Sequence, residues 1–365
     1  MVSLALRVGL MEHPSRSPRP PLRSVSVVIP ARNEAAGIER AIAPFLVDAP
    51  GLDVEVIVAD GGSTDATRDV VLGLAARDPR VKLVDNPREL IPEGLNAAIQ
   101  ASTGDVIVRM DGHAEPADDY LASCLAALDE SAAWNVGGRM IKTGETSAAR
   151  AAAAAATSAF GIGGGLRHHL ATKPADLTSV WLGCWPRWVF ERVGLFDPEM
   201  AINEDEELNR RILEAGGTVR FDPSIRAVYL SRAFWRGTFK QYFRYGIYRV
   251  RAVQKHPRML RLRHLVPAGL VAMLVIASLM AVVLFPVGAM VGAALVLLWL
   301  TGAVLSARGA AKDHASTVPT VVLAYACMHL GYGIGMWTGI VRFAPRWLHN
   351  RRGRVPALQG DRPGG

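Results

Sequence analysis

Asp111-Gly112-His113 follows directly on the strand-like run Asp105–Met110 and sets two metal-capable side chains two positions apart. On a turn at the end of a buried strand, both can face one divalent cation. Beside a diphosphate such a cation supplies Lewis-acid neutralisation of a leaving group. An imidazole in place of a second carboxylate suits manganese better than magnesium, which prefers oxygen ligands; a turn with a solvated histidine is the plainer reading. Asp60-Gly-Gly-Ser-Thr-Asp65 also closes an apolar run. Asp60 can accept the imide N–H of a uracil, and the glycines let a base approach the backbone. The same residues also make a tight turn, with Asp65 capping the next helix. Glu204, Asp205, Glu206 and Glu207 form a third acidic group. A helix N-terminus accounts for most of it, because negative charge there meets the positive dipole end. One carboxylate held against its neighbours' repulsion has its pKa raised toward that of a working general base.

These groups need a frame. Ser26–Pro30, Val54–Ala59, Val81–Val84 and Asp105–Met110 read as buried strands, and Glu34–Ala43, Asp65–Ala76, Glu93–Ala101 and Asp118–Leu128 have helical spacing between them. The alternation predicts parallel βαβ units in an α/β fold, with ligands beyond the carboxyl ends of the strands. Ala31-Arg32-Asn33-Glu34, Asp60–Asp65, Asp85-Asn86 and Asp111–His113 all stand there. Further on, the nearly all-alanine Ala148–Ala156 and the glycine-rich Phe160–Arg167 read as a plain linker or as a lid over a diphosphate, with Arg167 as a phosphate contact. Trp181 and Trp185 can stack on a sugar or pack a core. Cys124, Cys184 and Cys327 show no paired spacing, so neither a disulfide framework nor a zinc module is readable.

The chain of 365 residues has room for one large domain and more. Its net charge of +8 divides unevenly: residues 1–222 carry −9 and residues 223–365 carry +17. An acidic front half excludes a uniformly basic nucleic-acid binder. In residues 226–263, 11 Lys/Arg interleave with Phe, Trp and Tyr. That pattern is compatible with single-stranded nucleic acid, but the apolar stretches C-terminal to it favour a helix at an anionic membrane surface. Residues 265–285, 287–305 and 318–341 are of membrane-spanning length, and the first two make 41 residues without a charge. Arg261 and Arg263 put the start of the first span on the cytoplasmic side. Three crossings would then strand Arg342, Arg346, Arg351, Arg352 and Arg354 outside. One segment is therefore expected to be re-entrant or interfacial, and 318–341, with its glycines at 331, 333, 335 and 339, is the candidate.

In order and spacing, Pro30-Ala-Arg-Asn-Glu34, Val58–Asp65, Gly94–Ala98, Met110–Ala114, Phe190–Asp197, Asn203–Arg210 and Gln241-Tyr-Phe-Arg-Tyr245 resemble the motifs of family 2 glycosyltransferases. The Gly-Gly after Asp60, the Asp-Gly-His and the C-terminal apolar segments bring the chain nearest to succinoglycan-type exopolysaccharide members. The resemblance implies a GT-A fold and an inverting transfer from a UDP-sugar, glucose being expected, to a polyprenyl-diphosphate-linked glycan. The expected location is a bacterial inner membrane, with several spans and a cytoplasmic catalytic domain. Carried over by position, Pro30, Asn33, Glu34, Asp60 and Asp111 bind the nucleotide sugar, and Asp111 with His113 holds Mn or Mg. Asp205 is the base. Arg167, Trp181, Glu204, Gln241, Arg244 and Tyr245 serve the acceptor and diphosphate. Two departures stand out: His113 replaces the usual second aspartate, and Tyr245 the tryptophan of QxxRW. A processive synthase and a catalytically silent membrane scaffold are the alternatives. The expected organisation is a disordered arm (1–23), a GT-A domain (24–228), interfacial helices (229–264), membrane segments (265–341) and a basic disordered tail (342–365).

Overall fold

Val25, Val27 and Ile29 of the first strand are buried on one face of a sheet and Val28 on the other, so side chains alternating along a strand feed two separate cores. The computed structural model describes residues 24–48, 50–163, 171–231 and 235–352. Strands β1 (Ser24–Ala31), β2 (Asp53–Asp60), β3 (Val81–Asp85) and β4 (Val106–Arg109) run parallel in the order β3-β2-β1-β4. The sheet continues with β5 (Ala114–Pro116), β6 (Asn135–Thr143), β7 (Ala175–Asp176), β8 (Trp181–Pro186) and β9 (Val219–Leu230). From β4 outward the order is β8-β6-β9-β5, with β7 also on β9. Here the purely parallel expectation fails, because β8 is antiparallel to both β4 and β6. The result is a parallel nucleotide-type half joined to a mixed half.

Helices α1 (Ile38–Ile42), α2 (Thr67–Arg77), α3 (Ile91–Ala101) and α4 (Tyr120–Ser131) follow the first strands. α1, α2 and α4 cover one face through Ile38, Val71 and Cys124, while α3 covers the other through Leu95 and Ile99. The first helix is shorter than its pattern predicts. Asn33 has a positive φ of 55°, and Gly37 and Ile38 both donate to the Glu34 carbonyl, so residues 34–37 form a turn. α5 (Ser147–Ala156) and α6 (Ala159–Ile162) come next, then α7 (Trp188–Val193) and α8 (Glu204–Glu214) on the second face.

The C-terminal part comprises α9 (Trp235–Lys255), α10 (Leu262–Val283), α11 (Val287–Asp313) and α12 (Val318–Arg352). The last three are long and apolar enough to cross a membrane. α12 continues unbroken through Arg352, so the opening of the expected disordered tail is helical and 318–341 does not turn back as a re-entrant loop would. α5 is not a lid helix. Its Ala151, Ala154, Ala155 and Ala156 pack against Ala303, Ala307 and Ala311 of α11 and Val321, Ala324 and Tyr325 of α12. Alanine on both sides allows the helices to approach closely, which holds α5 in place. The expected lid's Arg167 lies outside the described residues.

The basic belt is likewise only partly outward-facing. Arg236, Lys240 and Arg244 are exposed on α9, but Arg249 and Arg251 are buried against acidic residues of the sheet domain. Arg249 makes a two-pronged pair with Glu206 at 2.6 and 3.0 Å, and Arg251 reaches Glu199 at 2.5 Å. Lys255 joins Asp197 and Glu199.

Candidate active site

Register places Ala31 beside Asp60 and Asp60 beside Asp85, so the carboxyl ends of β1, β2 and β3 form one edge. Asp60 is buried and accepts from the Ser63 N–H at 3.3 Å and from Arg68 at 3.2 Å. Arg68 also holds Asp85 at 2.7 Å. The Asn33 side chain accepts from the Thr64 N–H at 2.8 Å, while the Asn33 N–H donates to the Ser63 hydroxyl at 3.0 Å. The turn after β1 and the loop after β2 are thereby laced together. Gly62 has φ 69°, the left-handed conformation that lets the loop fold back without a Cβ clash. Asp65 accepts from the Thr67 N–H and hydroxyl at the start of α2, one residue ahead of the capping position, which is Ala66 and makes no side-chain cap bond.

Beyond β4, His113 directs Nδ1 to the Glu34 carboxylate at 3.1 Å and packs edge-on against Tyr229, ring centroids 4.8 Å apart. Burial lowers the His113 pKa, and Arg109 adds to that while Asp111 opposes it. The ring is therefore neutral near pH 7, the form that ligates metals, and a partner on Nδ1 leaves Nε2 as the coordinating nitrogen. Among the described residues no third His, Cys, Asp or Glu completes a cluster. Asp111 with His113 fits a cation whose remaining ligands come from a diphosphate and water.

Arg109 connects this edge to α8. It is a charged residue at the end of an otherwise apolar strand, 6% exposed. Its Nε donates to Asp111 at 3.1 Å, and it pairs with Glu204 at 2.9 Å. Burial works against its charge, but Asp111, Glu204 and Asp205 keep it firmly protonated. Asn203, in the left-handed region at φ 63°, turns the chain into α8. The Asp205 carboxyl is pushed up to about 7, by burial first and then by the Glu204 charge, while Arg109 pulls it down. Burial also opposes ionisation of Glu206, yet the Arg249 guanidinium holds it down at about 2. The neighbouring Asp205 and Glu206 thus have opposite settings, and Asp205 is poised to take a proton near neutral pH.

From α9, Gln241 donates to the Tyr245 hydroxyl at 3.0 Å. Tyr245 is pushed up to about 12, chiefly by burial and further by Asp205, Glu204 and Asp111, so it stays a neutral hydrogen-bonding group facing the carboxylates. Trp181 on β8 is half-buried and packs against Tyr229 at 5.9 Å between ring centroids. Trp185 instead belongs to the core, packed among Phe190 and Phe196, and Cys184 is packed beside it on β8. Arg244 is exposed on α9, and Pro30 lies within β1.

The structure thus gathers Asn33, Glu34, Asp60, Asp111, His113, Glu204, Asp205, Gln241 and Tyr245 around one end of the sheet. Arg109 and Tyr229 join them without being expected from the sequence. A lone arginine closing a buried strand is a usable signal for the first; Tyr229 has none, because only strand pairing brings it to His113.

Residues 26–179 match the glycosyl transferase family 2 pattern. The chain is 31% identical over 336 residues to the succinoglycan biosynthesis protein ExoA of Rhizobium meliloti, covering 88% of this chain and 96% of that protein. It is 26% identical to a Methanococcus voltae dolichyl N-acetylglucosaminyl phosphate diacetamidodideoxyglucuronosyltransferase, covering 61% of this chain and 71% of that one. Among solved structures it resembles a Pyrobaculum calidifontis mannosyltransferase in complex with GDP-Man and Mn2+, with a TM-score of 0.53, 21% identity and coverage of 86% and 87%.

Proposed function

The chain belongs to glycosyl transferase family 2, and on that premise we propose that it moves a glucosyl group, with inversion, from UDP-glucose to a polyprenyl-diphosphate-linked glycan in exopolysaccharide synthesis. The GT-A-like sheet presents its polar edge to the donor. Asp60, Asn33 and Pro30 line the nucleotide end, Asp60 accepting from the uracil imide. Asp111 and His113 would hold a divalent cation, with Glu34 fixing the imidazole; when bound, the cation neutralises the charge that develops on the leaving diphosphate. That the mannosyltransferase of similar fold is in complex with GDP-Man and Mn2+ supports a nucleotide-sugar donor used with a divalent cation.

The observation that carries the reading is the carboxyl of Asp205, pushed up to about 7 beside Arg109 and Glu204. Asp205 takes the proton from the acceptor hydroxyl as that oxygen bonds to the anomeric carbon. The bond from that carbon to the diphosphate oxygen breaks on the opposite face, and UDP leaves with the electron pair. An α-linked donor gives a β-glycoside. Trp181 offers an apolar face to the acceptor sugar, and Gln241, Arg244 and Tyr245 approach from α9, with Arg167 as a further diphosphate contact. The similarity to a succinoglycan biosynthesis protein supports the polysaccharide context. The apolar helices support a membrane-bound acceptor met at the cytoplasmic face of the inner membrane.

Membranes containing the chain are incubated with a panel of radiolabelled nucleotide sugars. Label from UDP-glucose is expected in the lipid-extractable fraction, lost in Asp205→Asn while donor binding persists. Label from another donor alone would overturn the sugar assignment. Full activity in Asp205→Asn would overturn the base.

A further inference from the structure

The three apolar helices are not equivalent. α10 and α11 expose large apolar side chains around their circumference, including Met273, Ile276, Leu279 and Val283 on one and Met290, Val296, Leu298 and Leu305 on the other. In their most apolar stretches each is 11% buried, against 44% for α12. α12 has contacts with the catalytic half along its whole length. In the turn that leads into it, Arg150 donates to the Ala315 carbonyl at 3.2 Å, and in its first half Tyr325 donates to Ser158 at 2.8 Å and His329 meets the Phe160 carbonyl at 3.0 Å. In its middle, a Cβ on Gly331, Gly335 or Gly339 would strike the backbone of Phe239, Phe243 or Ile247, so α12 runs alongside α9 in the same direction at the closest possible approach. At its end, the Phe343 carbonyl accepts from Gln254 at 3.2 Å, one turn from the Arg251–Glu199 pair.

We infer that the membrane is crossed twice, by α10 and α11 as a hairpin, and that α12 lies along the membrane surface on the catalytic side, keeping the arginine-rich C-terminal sequence on that side. From Val318 at the start of α12 to Phe343 is 25 positions, about 38 Å of helix, more than the roughly 30 Å hydrocarbon core. A crossing α12 would put one set of its catalytic-side contacts on the far side. α9 cannot follow it through a bilayer, since Arg249, Arg251 and Lys255 are paired with carboxylates of the sheet domain. The large apolar residues that α12 does expose, Leu323, Ile334, Trp337 and Val341, recur at helical spacing on one side, the pattern of a helix half-sunk in lipid. Charge agrees: Arg261 and Arg263 enter the hairpin and Arg308 and Lys312 leave it, so both ends are basic, as cytoplasmic ends are. The arginine-rich sequence from position 342 onward is then kept on the basic, cytoplasmic side as well.

The test uses the full chain and concerns sidedness alone, whichever sugar is transferred. Green fluorescent protein or alkaline phosphatase is fused after Gly365, and separately Val287→Cys is labelled in intact cells with a membrane-impermeant maleimide, the unsubstituted chain serving as blank. The expected result is a fluorescent, phosphatase-silent C-terminal fusion and a Val287→Cys thiol labelled from outside. An active phosphatase fusion would mean that α12 crosses, and labelling of Val287→Cys only after permeabilisation would mean that the hairpin does not; either overturns the inference. Sugar transfer is measured in the same membranes, and its absence would count against the proposed function without altering the sidedness result.

Discussion

Replacing Arg109 by methionine removes one guanidinium while keeping much of its apolar volume. Asp111, Glu204 and Asp205 then lose their common counter-charge, with Asp111 and Glu204 held at 3.1 and 2.9 Å in the parent. A unit charge acting on a carboxyl over about 6 Å, at an effective dielectric constant of about 20, is worth roughly 3 kcal/mol, or about 2 pK units. Solvent admitted to the vacated space screens part of that, leaving roughly 1–2 units. Losing a positive charge raises a carboxyl pKa, so the base moves upward from about 7. At pH 7 the ionised fraction falls from about a half to between about 10% and about 1%, roughly a 5- to 50-fold loss of rate that high pH restores. The assay is the pH dependence of kcat/KM for UDP release by membranes. The acidic limb is expected near pH 7 in the parent and one to two units higher in Arg109→Met. Arg109→Lys keeps the charge without the fork and should fall between them. A limb that stays near 7 while the rate drops uniformly would show that Arg109 only braces the fold and does not set the base.

His113→Asp restores a second carboxylate beside Asp111, so magnesium should support the reaction better relative to manganese; metal titration of UDP release checks it, and an unchanged metal preference would remove His113 from the site. Gly335→Leu forces side-chain atoms into the Phe243 carbonyl, 2.1 Å from where the first of them would sit; α12 should separate from α9, with a thermal midpoint in detergent lower by several degrees, whereas Gly309→Leu, with open space at its Cβ, should leave it unchanged. Glu206 and Glu199 are held at about 2 in the folded chain, Glu206 by Arg249 against the cost of burial and Glu199 by Lys255 and Arg251. Their stabilisation is complete above the ordinary carboxylate value of 4.5 and is lost as pH falls from there toward 2. Protease sensitivity of the segment joining α9 to the sheet domain should rise across that window and not at higher pH.

Much of the nucleotide half was legible because its signals are local. β-branched runs ending in Asp60 and Asp111 needed no long-range information to be placed at a sheet edge. What failed depended on pairing between distant segments. β8 reads like any buried strand, and nothing within Trp181–Pro186 says that it inserts antiparallel between β4 and β6. The alanine run read as linker or lid because alanine has no side chain to announce a partner; its partners are other alanines more than a hundred residues away. Trp181 and Trp185 could not be told apart by type. Strict alternation along β8 would give both one facing, but Leu182, at φ 50°, interrupts it: Trp181 packs against the core on one face beside Tyr229, while Trp185 lies in the other core among Phe190 and Phe196.

The charge division has a different physical meaning from the one its composition suggests. A basic second half after an acidic first half looks like a protein's membrane-facing side added to its catalytic side. Yet Arg249, Arg251 and Lys255 spend their charge on Glu206, Glu199 and Asp197, inside the junction of the two halves. Glu206, adjacent to Asp205, is thereby ionised and fixed by α9, so its charge adds to that of Glu204 in raising the Asp205 pKa. The same α9 carries Gln241 and Tyr245 toward the site and rests on α12 through the glycines at 331, 335 and 339. The proton affinity of Asp205 is therefore set from both sides, by Arg109 from the nucleotide sheet and by the Arg249–Glu206 pair from the membrane side. A helix shift at the membrane surface that drew Arg249 away would let Glu206 take up a proton, remove one of the charges raising Asp205, and lower the pH at which the base begins to work.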